Sequence, residues 1–166
     1  MNLASNEIRY KIKQKVFSWS DTFHIQDEYG GNVFSVKGEI FTLFKKLRLF
    51  DMLGNELCYI QQEPWKFMPE YNIFSGGMHV ANVKKELAFF KHKFNINCAL
   101  ASYEVIGDFW AHEFQIMKNG YPVATISKKL FSWGDSYSLV IAQGEDYLLL
   151  LSLVIVIDMC LHNGNK

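Results

Sequence analysis

The chain has little of what staples, targets or electrically steers a protein. Only three of its 166 residues are cysteine. Cys58, Cys98 and Cys160 lie far apart, odd in number and without C-x-x-C spacing. That pattern argues against a disulfide framework and a zinc knuckle, and favours free buried thiols in a reducing compartment. Charge of one sign is missing too: 17 Lys plus Arg balance 17 Asp plus Glu, a formal net charge of zero. A neutral chain has no bulk attraction for DNA or RNA, so no nucleic-acid partner is expected. Residues 1–6 are polar and hold no apolar signal segment, so the expectation is a cytoplasmic protein.

Catalytic signatures are equally scarce. There is no G-x-G-x-x-G, no G-x-x-x-x-G-K-[ST] and no G-x-S-x-G elbow. His112-Glu113 lacks the second histidine at helical spacing that a zinc protease needs. His24, His79 and His92 are scattered, and a solvated or hydrogen-bonded role outweighs a ligand or base at each. Nothing in these residues calls for a metal or a cofactor.

What is abundant is apolar material. Hydrophobic residues make up 49% of the chain, which argues against disorder, and 166 residues suit one domain, 1–166, with a sizeable core. Long apolar runs are missing except for one, near the end. Leu148 to Leu151 and Leu153 to Ile157 cover every direction of a helical wheel. Glu145 and Asp146 place negative charge at the start of this run, with Asp146 as the N-cap. His162 and Asn163-Gly164 supply a stop, so the helix is expected over about 146–162. A helix apolar on all sides must be surrounded by lipid or protein. This one is shorter than the roughly 20 residues of a membrane span. It is interrupted by Asp158 and flanked by no Lys or Arg cluster. Burial inside protein is therefore expected, with no transmembrane span.

The remainder, about 9–141, reads as short strands separated by turns. Ser75-Gly76-Gly77 and Lys118-Asn119-Gly120 are hairpin signals. Strands are also expected at 40–44, at 89–94 and at 95–99; residues 65–67, between two prolines, are ambiguous. About a dozen strands at even spacing predict a closed shell wide enough to hold a helix. Two internal echoes support a meander. Lys15-Val16-Phe17-Ser18-Trp19-Ser20-Asp21 recurs as Lys129-Leu130-Phe131-Ser132-Trp133-Gly134-Asp135. Residues 27–33 recur as 51–57, each placing Gly-Asn or Gly-Gly-Asn before an outgoing strand.

These segments resemble a known family. Residues 129–137, then Gly144-Glu145-Asp146 and the run to Asp158-Met159-Cys160-Leu161-His162-Asn163, look like the LURP-one-related family. Lys13-Gln14-Lys15-Val16-Phe17-Ser18-Trp19, Lys37-Gly38-Glu39 and Lys45-Lys46-Leu47 resemble its N-terminal half. The likeness covers nearly the whole chain, and the compact length resembles the bacterial, YxjI-like members. It implies a mainly β, tubby-like closed barrel of twelve strands around a hydrophobic C-terminal helix. The superfamily also holds phosphoinositide-binding tubby domains and the phospholipid scramblases. No residues here match the lipid contacts of the former or the palmitoylation cluster of the latter.

The functional candidates are basic. Lys11, Lys13 and Lys15 share one face of a strand, and Lys45, Lys46 and Arg48 cluster. Lys84 with Lys85, and Lys91 with Lys93, are further pairs. Charges outside a barrel usually serve solubility and edge protection. Two clusters brought together would attract phosphate headgroups. The expectation is a non-enzymatic binding or scaffold protein whose partner is anionic lipid, peripheral to a membrane, or another protein. The rivals are an enzyme acting on a small molecule in a barrel-mouth cleft and a pure protein-docking module.

Overall fold

The computed structural model describes residues 7–13, 22–39, 42–87, 93–109, 111, 113–128 and 136–162. The described residues form twelve strands and one helix. The strands are β1 (Glu7–Lys13), β2 (Phe23–Asp27), β3 (Asn32–Gly38), β4 (Lys46–Asp51), β5 (Glu56–Gln62) and β6 (Glu70–Ser75). They continue as β7 (Met78–Glu86), β8 (Lys93–Asn97), β9 (Tyr103–Asp108), β10 (Glu113–Lys118), β11 (Tyr121–Ser127) and β12 (Ser136–Ala142). Each pairs antiparallel with its neighbours in sequence, and β12 pairs with β1 to close a barrel.

The alternation of the strands decides what fills the barrel. Tyr10 and Ile12, Leu47 and Leu49, Tyr71 and Ile73, and Phe114 and Ile116 are buried, while Arg48, Asn72 and Gln115 between them are partly exposed. The buried set faces α1 (Tyr147–His162), a helix of 16 residues, or about 24 Å at the usual rise. From Leu149 to Cys160 every residue of α1 is buried. A strand shell solves the problem of a helix without a polar side, and the helix occupies a space too wide for strand side chains alone.

Both ends of this plug are tied. Asp146 caps it as expected: Oδ1 accepts from the Leu149 amide at 3.0 Å, and the Asp146 carbonyl accepts from the Leu150 amide at 3.0 Å. At the other end Lys85 points inward from β7, and its Nζ donates to the Cys160 carbonyl at 3.1 Å. An ammonium at a helix C-terminus meets the negative end of the dipole and an open carbonyl together.

Three expectations shift. The strand expected at 40–44 is a connection in its described part. The Glu39 amide already bonds the Lys46 carbonyl at 3.0 Å, and Thr42 Oγ1 donates to the Glu39 carbonyl at 3.2 Å, so 42–44 lies in a turn outside the ladder. The strands expected at 89–94 and 95–99 contribute one, β8, with residues 89–92 outside the described residues. The echo of 15–21 in 129–135 also lies outside them, whereas the second echo is structural. Asp27 Oδ1 accepts from the amides of Tyr29 at 3.0 Å and Gly31 at 2.8 Å. Asp51 Oδ1 accepts from those of Leu53 at 2.9 Å and Asn55 at 2.8 Å. The repeat is one Asx turn used twice, with Gly30 and Gly54 at φ of 85° and 90°.

A meander sends alternate connections to opposite ends. Those after β2, β4, β6, β8 and β10 span two to five residues and form a turn end. Those after β1, β3, β5, β7, β9 and β11 span four to nine residues and form a loop end. The helix enters at the turn end and finishes at the loop end.

Candidate functional site

The loop end gathers features that do not serve the core. Residues 63–69 join β5 to β6, and their base is held firmly. The Glu63 amide donates to the Glu70 carbonyl at 2.8 Å, and the Lys85 amide to the Pro69 carbonyl at 2.9 Å. The Asn72 amide group donates to the Glu63 carboxylate, and Asn82 Nδ2 to Glu70 Oε1 at 3.0 Å. The adjoining connection, residues 39–45, is tied to the same base. The Gln62 amide donates to the Lys45 carbonyl at 2.8 Å, and the Lys45 amide to Gln62 Oε1 at 3.2 Å.

On this base stand apolar side chains that the core does not take. Leu43, Trp65, Phe67 and Leu87 are each at least 75% exposed. The Phe44 ring meets Trp65 edge-on with centroids 5.2 Å apart. Trp65 holds φ at 58°, a left-handed conformation that costs a bulky side chain energy.

Cations stand at the same end of the barrel. Lys46 Nζ lies 3.7 Å from Glu39, Lys66 Nζ 3.6 Å from Glu70, and Lys93 Nζ 3.1 Å from Glu86. Pairs with a solvent-facing amine are weak, so these amines can exchange a carboxylate for another anion. Of the sequence candidates, Lys45 and Lys46 lie here. Lys13 ends β1 at the same end, and Lys15 lies outside the described residues. Lys11 sits on the outer wall, in a groove of about 350 Å³ with Arg9, Gln26, Tyr29 and Ser138. Arg48 is occupied. It donates to Glu39 at 2.9 and 3.0 Å and to Glu56 at 2.7 Å, and its guanidinium covers the Tyr59 ring at 4.4 Å. These carboxylates hold its pKa above the ordinary value.

Sequence reasoning missed Leu43, Trp65 and Phe67. The available signal was an aromatic pair inside a segment bounded by Pro64 and Pro69, where no strand can use it.

Among the described residues, the buried thiols are held protonated. Burial pushes the Cys160 thiol up to about 12, although Lys85 and Lys45 pull it down. Burial also raises Cys58 against the pull of the Ser152 and Ser75 hydroxyls. Asp158 is buried on the helix, and Tyr137 on β12 is raised well above its ordinary value by burial first and the Asp158 charge second. A second outer groove, about 320 Å³, is lined by Glu56, Leu57, Tyr59, Phe74 and Gly76-Gly77. Neither groove is lined by a histidine. Among the described residues no three His, Cys, Asp or Glu side chains could hold a metal ion. No helix among them is long and apolar enough to cross a membrane.

Comparison with known proteins agrees with this architecture. A Bacillus subtilis (strain 168) protein, the uncharacterized protein YxjI, is 41% identical over 152 residues, covering 92% of this chain and 93% of that one. A solved structure of an Arabidopsis thaliana protein matches with a TM-score of 0.68 over 94% of this chain and 92% of that one. At 21% identity, this second likeness is one of fold. The family model described as LURP-one-related matches residues 8–158, and the chain belongs to that family.

Proposed function

We propose that this is a non-enzymatic binding protein that rests its loop end on a surface of anionic phospholipid headgroups. The observation that carries this reading is the exposed group of Leu43, Trp65 and Phe67, set among lysines on a braced pair of loops. Tryptophan favours the boundary between headgroups and acyl chains, where its ring is half in each medium. Lysines beside an anionic leaflet add about 1 kcal/mol each. Lys45, Lys46 and Lys66 supply the charge, and Lys13 ends its strand at the same end. The barrel stays outside the bilayer and only side chains enter, as in peripheral attachment.

The test is flotation with vesicles of zwitterionic lipid alone or with added anionic lipid, at low salt. The protein should float with anionic vesicles and be released by salt. Replacing Trp65 and Phe67 by serine should weaken binding about tenfold or more, given two large apolar groups removed from the lipid boundary. Equal behaviour toward both vesicle types, or no flotation at all, would reject the reading.

A further inference from the structure

The turn end carries a second surface, and its chemistry is the inverse of the first. Each of the five hairpins there presents a strongly exposed apolar side chain in its connection or at the first residue after it: Tyr29, Leu53, Met78, Leu100 and Tyr121, with Met52 half exposed beside Leu53. All five are 70% exposed or more. Their strands follow one another around the barrel, so the side chains are spread along one rim. Two of them, Tyr29 and Leu53, are held out by the same Asx turn. Met78 and Tyr121 follow the Gly76-Gly77 and Asn119-Gly120 turns, whose central residues all have positive φ.

The charge on this rim is negative. Asp27, Glu28, Asp51, Glu56, Glu145 and Asp146 stand at the turn end. The cations beside them are Arg9, Lys11, Arg48 and Lys118, of which Arg9, Arg48 and Lys118 pair with Glu7, Glu56 and Glu145 at 2.9, 2.7 and 2.7 Å. The opposite rim is mixed: Lys45, Lys46, Lys66, Lys84, Lys85, Lys93 and Lys128 stand there with Glu39, Glu63, Glu70, Glu86 and Glu113, and Lys46, Lys66 and Lys93 pair with Glu39, Glu70 and Glu86. Among the described residues acid is therefore in excess at the turn end and lysine at the loop end. The acidic end holds the helix N-terminus and the basic end its C-terminus, so the rim charges complement the dipole of the plug. An anionic leaflet would repel the acidic end.

We infer that the acidic turn end docks the basic loop end of a second copy of this chain, so that barrels associate head to tail. Both faces are apolar at their tips and opposite in charge, which is the complementarity that selects partner and register. The contact is heterologous: the two faces differ, so one contact leaves a free face of each kind and association continues beyond two. This inference shares the loop end with the lipid reading, but it needs no membrane and adds the turn end as the second face.

Sedimentation velocity across a concentration series, at low and high salt and without lipid, tests it. Species beyond the dimer should grow with concentration and recede with salt. Leu53→Lys with Tyr121→Lys should block the turn end; Lys45→Glu with Lys66→Glu should block the loop end. Each double variant alone should lose association by about tenfold or more. Mixed, they should restore a single 1:1 complex and go no further, since each keeps one intact face. The turn-end variant should still float with anionic vesicles, which separates this result from failure of the lipid reading. A monomer at every concentration would overturn the inference and leave the acidic rim to a cationic surface of another protein. A dimer indifferent to both variants, or a mixture that forms no complex, would overturn it equally.

Discussion

The two ends of the barrel are built from the same strands, yet one is made of tight turns and the other of long connections. At the turn end the sequence dictates the backbone almost residue by residue. Asn119 and Gly120 hold φ of 50° and 85°, Gly76 and Gly77 hold 56° and 78°, and Asp27 and Asp51 close identical turns. At the loop end the backbone is instead braced from below, by contacts such as Glu63 to Glu70 and Lys45 to Gln62. The first strategy rests on the turn residues themselves, with one longer tie from Asn119 to Ser102, 17 positions away. The second rests on ties at the base of the loops, which frees the tips to carry residues such as Trp65 that no turn chemistry requires.

Several changes would sharpen or break this contrast. The largest effect belongs to alkali, because protons are held at both ends. Tyr10, near the turn end, and Cys160, near the loop end, are each pushed up to about 12, from ordinary values of 10.0 and 9.0. Tyr137 moves in the same direction. The folded chain keeps these protons while the unfolded chain releases them. Their contribution is therefore complete below about pH 9 and is lost as pH rises toward 12. Thermal melting followed by circular dichroism should show the midpoint falling steadily above pH 9, with Tyr10→Phe flattening part of the fall.

Next is Gly107, in the loop-end half of β9. Its φ is 135°, and a Cβ there would collide with the Glu113 carbonyl oxygen and the Phe114 backbone. The close approach lets Phe109 turn inward between Phe94 and Phe114, with ring centroids 5.4 and 5.3 Å away. Gly107→Ala should cost about 3 kcal/mol, read from urea unfolding. A near-neutral result would mean that this end tolerates backbone change as loosely as its connection lengths imply.

The two tethers of the plug come third. Lys85→Met keeps the stem but strands the Cys160 carbonyl, and should cost about 2 kcal/mol. Asp146→Ala removes the bond to the Leu149 amide and should cost about 1 kcal/mol. The same unfolding measurements check both, and a reversed order would place the tighter tether at the turn end.

The smallest effect has the opposite sign. Trp65→Gly relieves a left-handed conformation on an exposed loop, and should leave stability unchanged or raise it by about half a kcal/mol. Vesicle binding should weaken in the same variant. A clear loss of stability would make Trp65 a structural residue.

Most of the fold was legible because its signals are local. The apolar run at 148–157 with Asp146 before it marked a helix and its cap, and the Asn119-Gly120 pair marked a hairpin. The paired Asx turns were visible as an echo between 27–33 and 51–57. Lys85 was not legible as a helix tether, because its role depends on a register that points its side chain inward toward a carbonyl 75 positions away. For the candidate site, charge in the sequence says nothing of position on the barrel. Lys45 and Lys46 were chosen for charge, and they do lie at the loop end. Arg48 shares their cluster in sequence, but one step along an alternating strand brings it between Glu39 and Glu56. Leu43, Trp65 and Phe67 were missed, because exposure of an apolar residue belongs to the assembled barrel and leaves no periodic trace.

The central claim is that one end of this barrel meets lipid and the other does not. Its most direct measurement places an environment-sensitive fluorophore on a cysteine at Phe67, or in a second protein at Leu53, each in a Cys98→Ser background. On anionic vesicles the Phe67→Cys label should shift to the blue and the Leu53→Cys label should not. Equal shifts at both positions, or a shift confined to Leu53→Cys, would contradict the account.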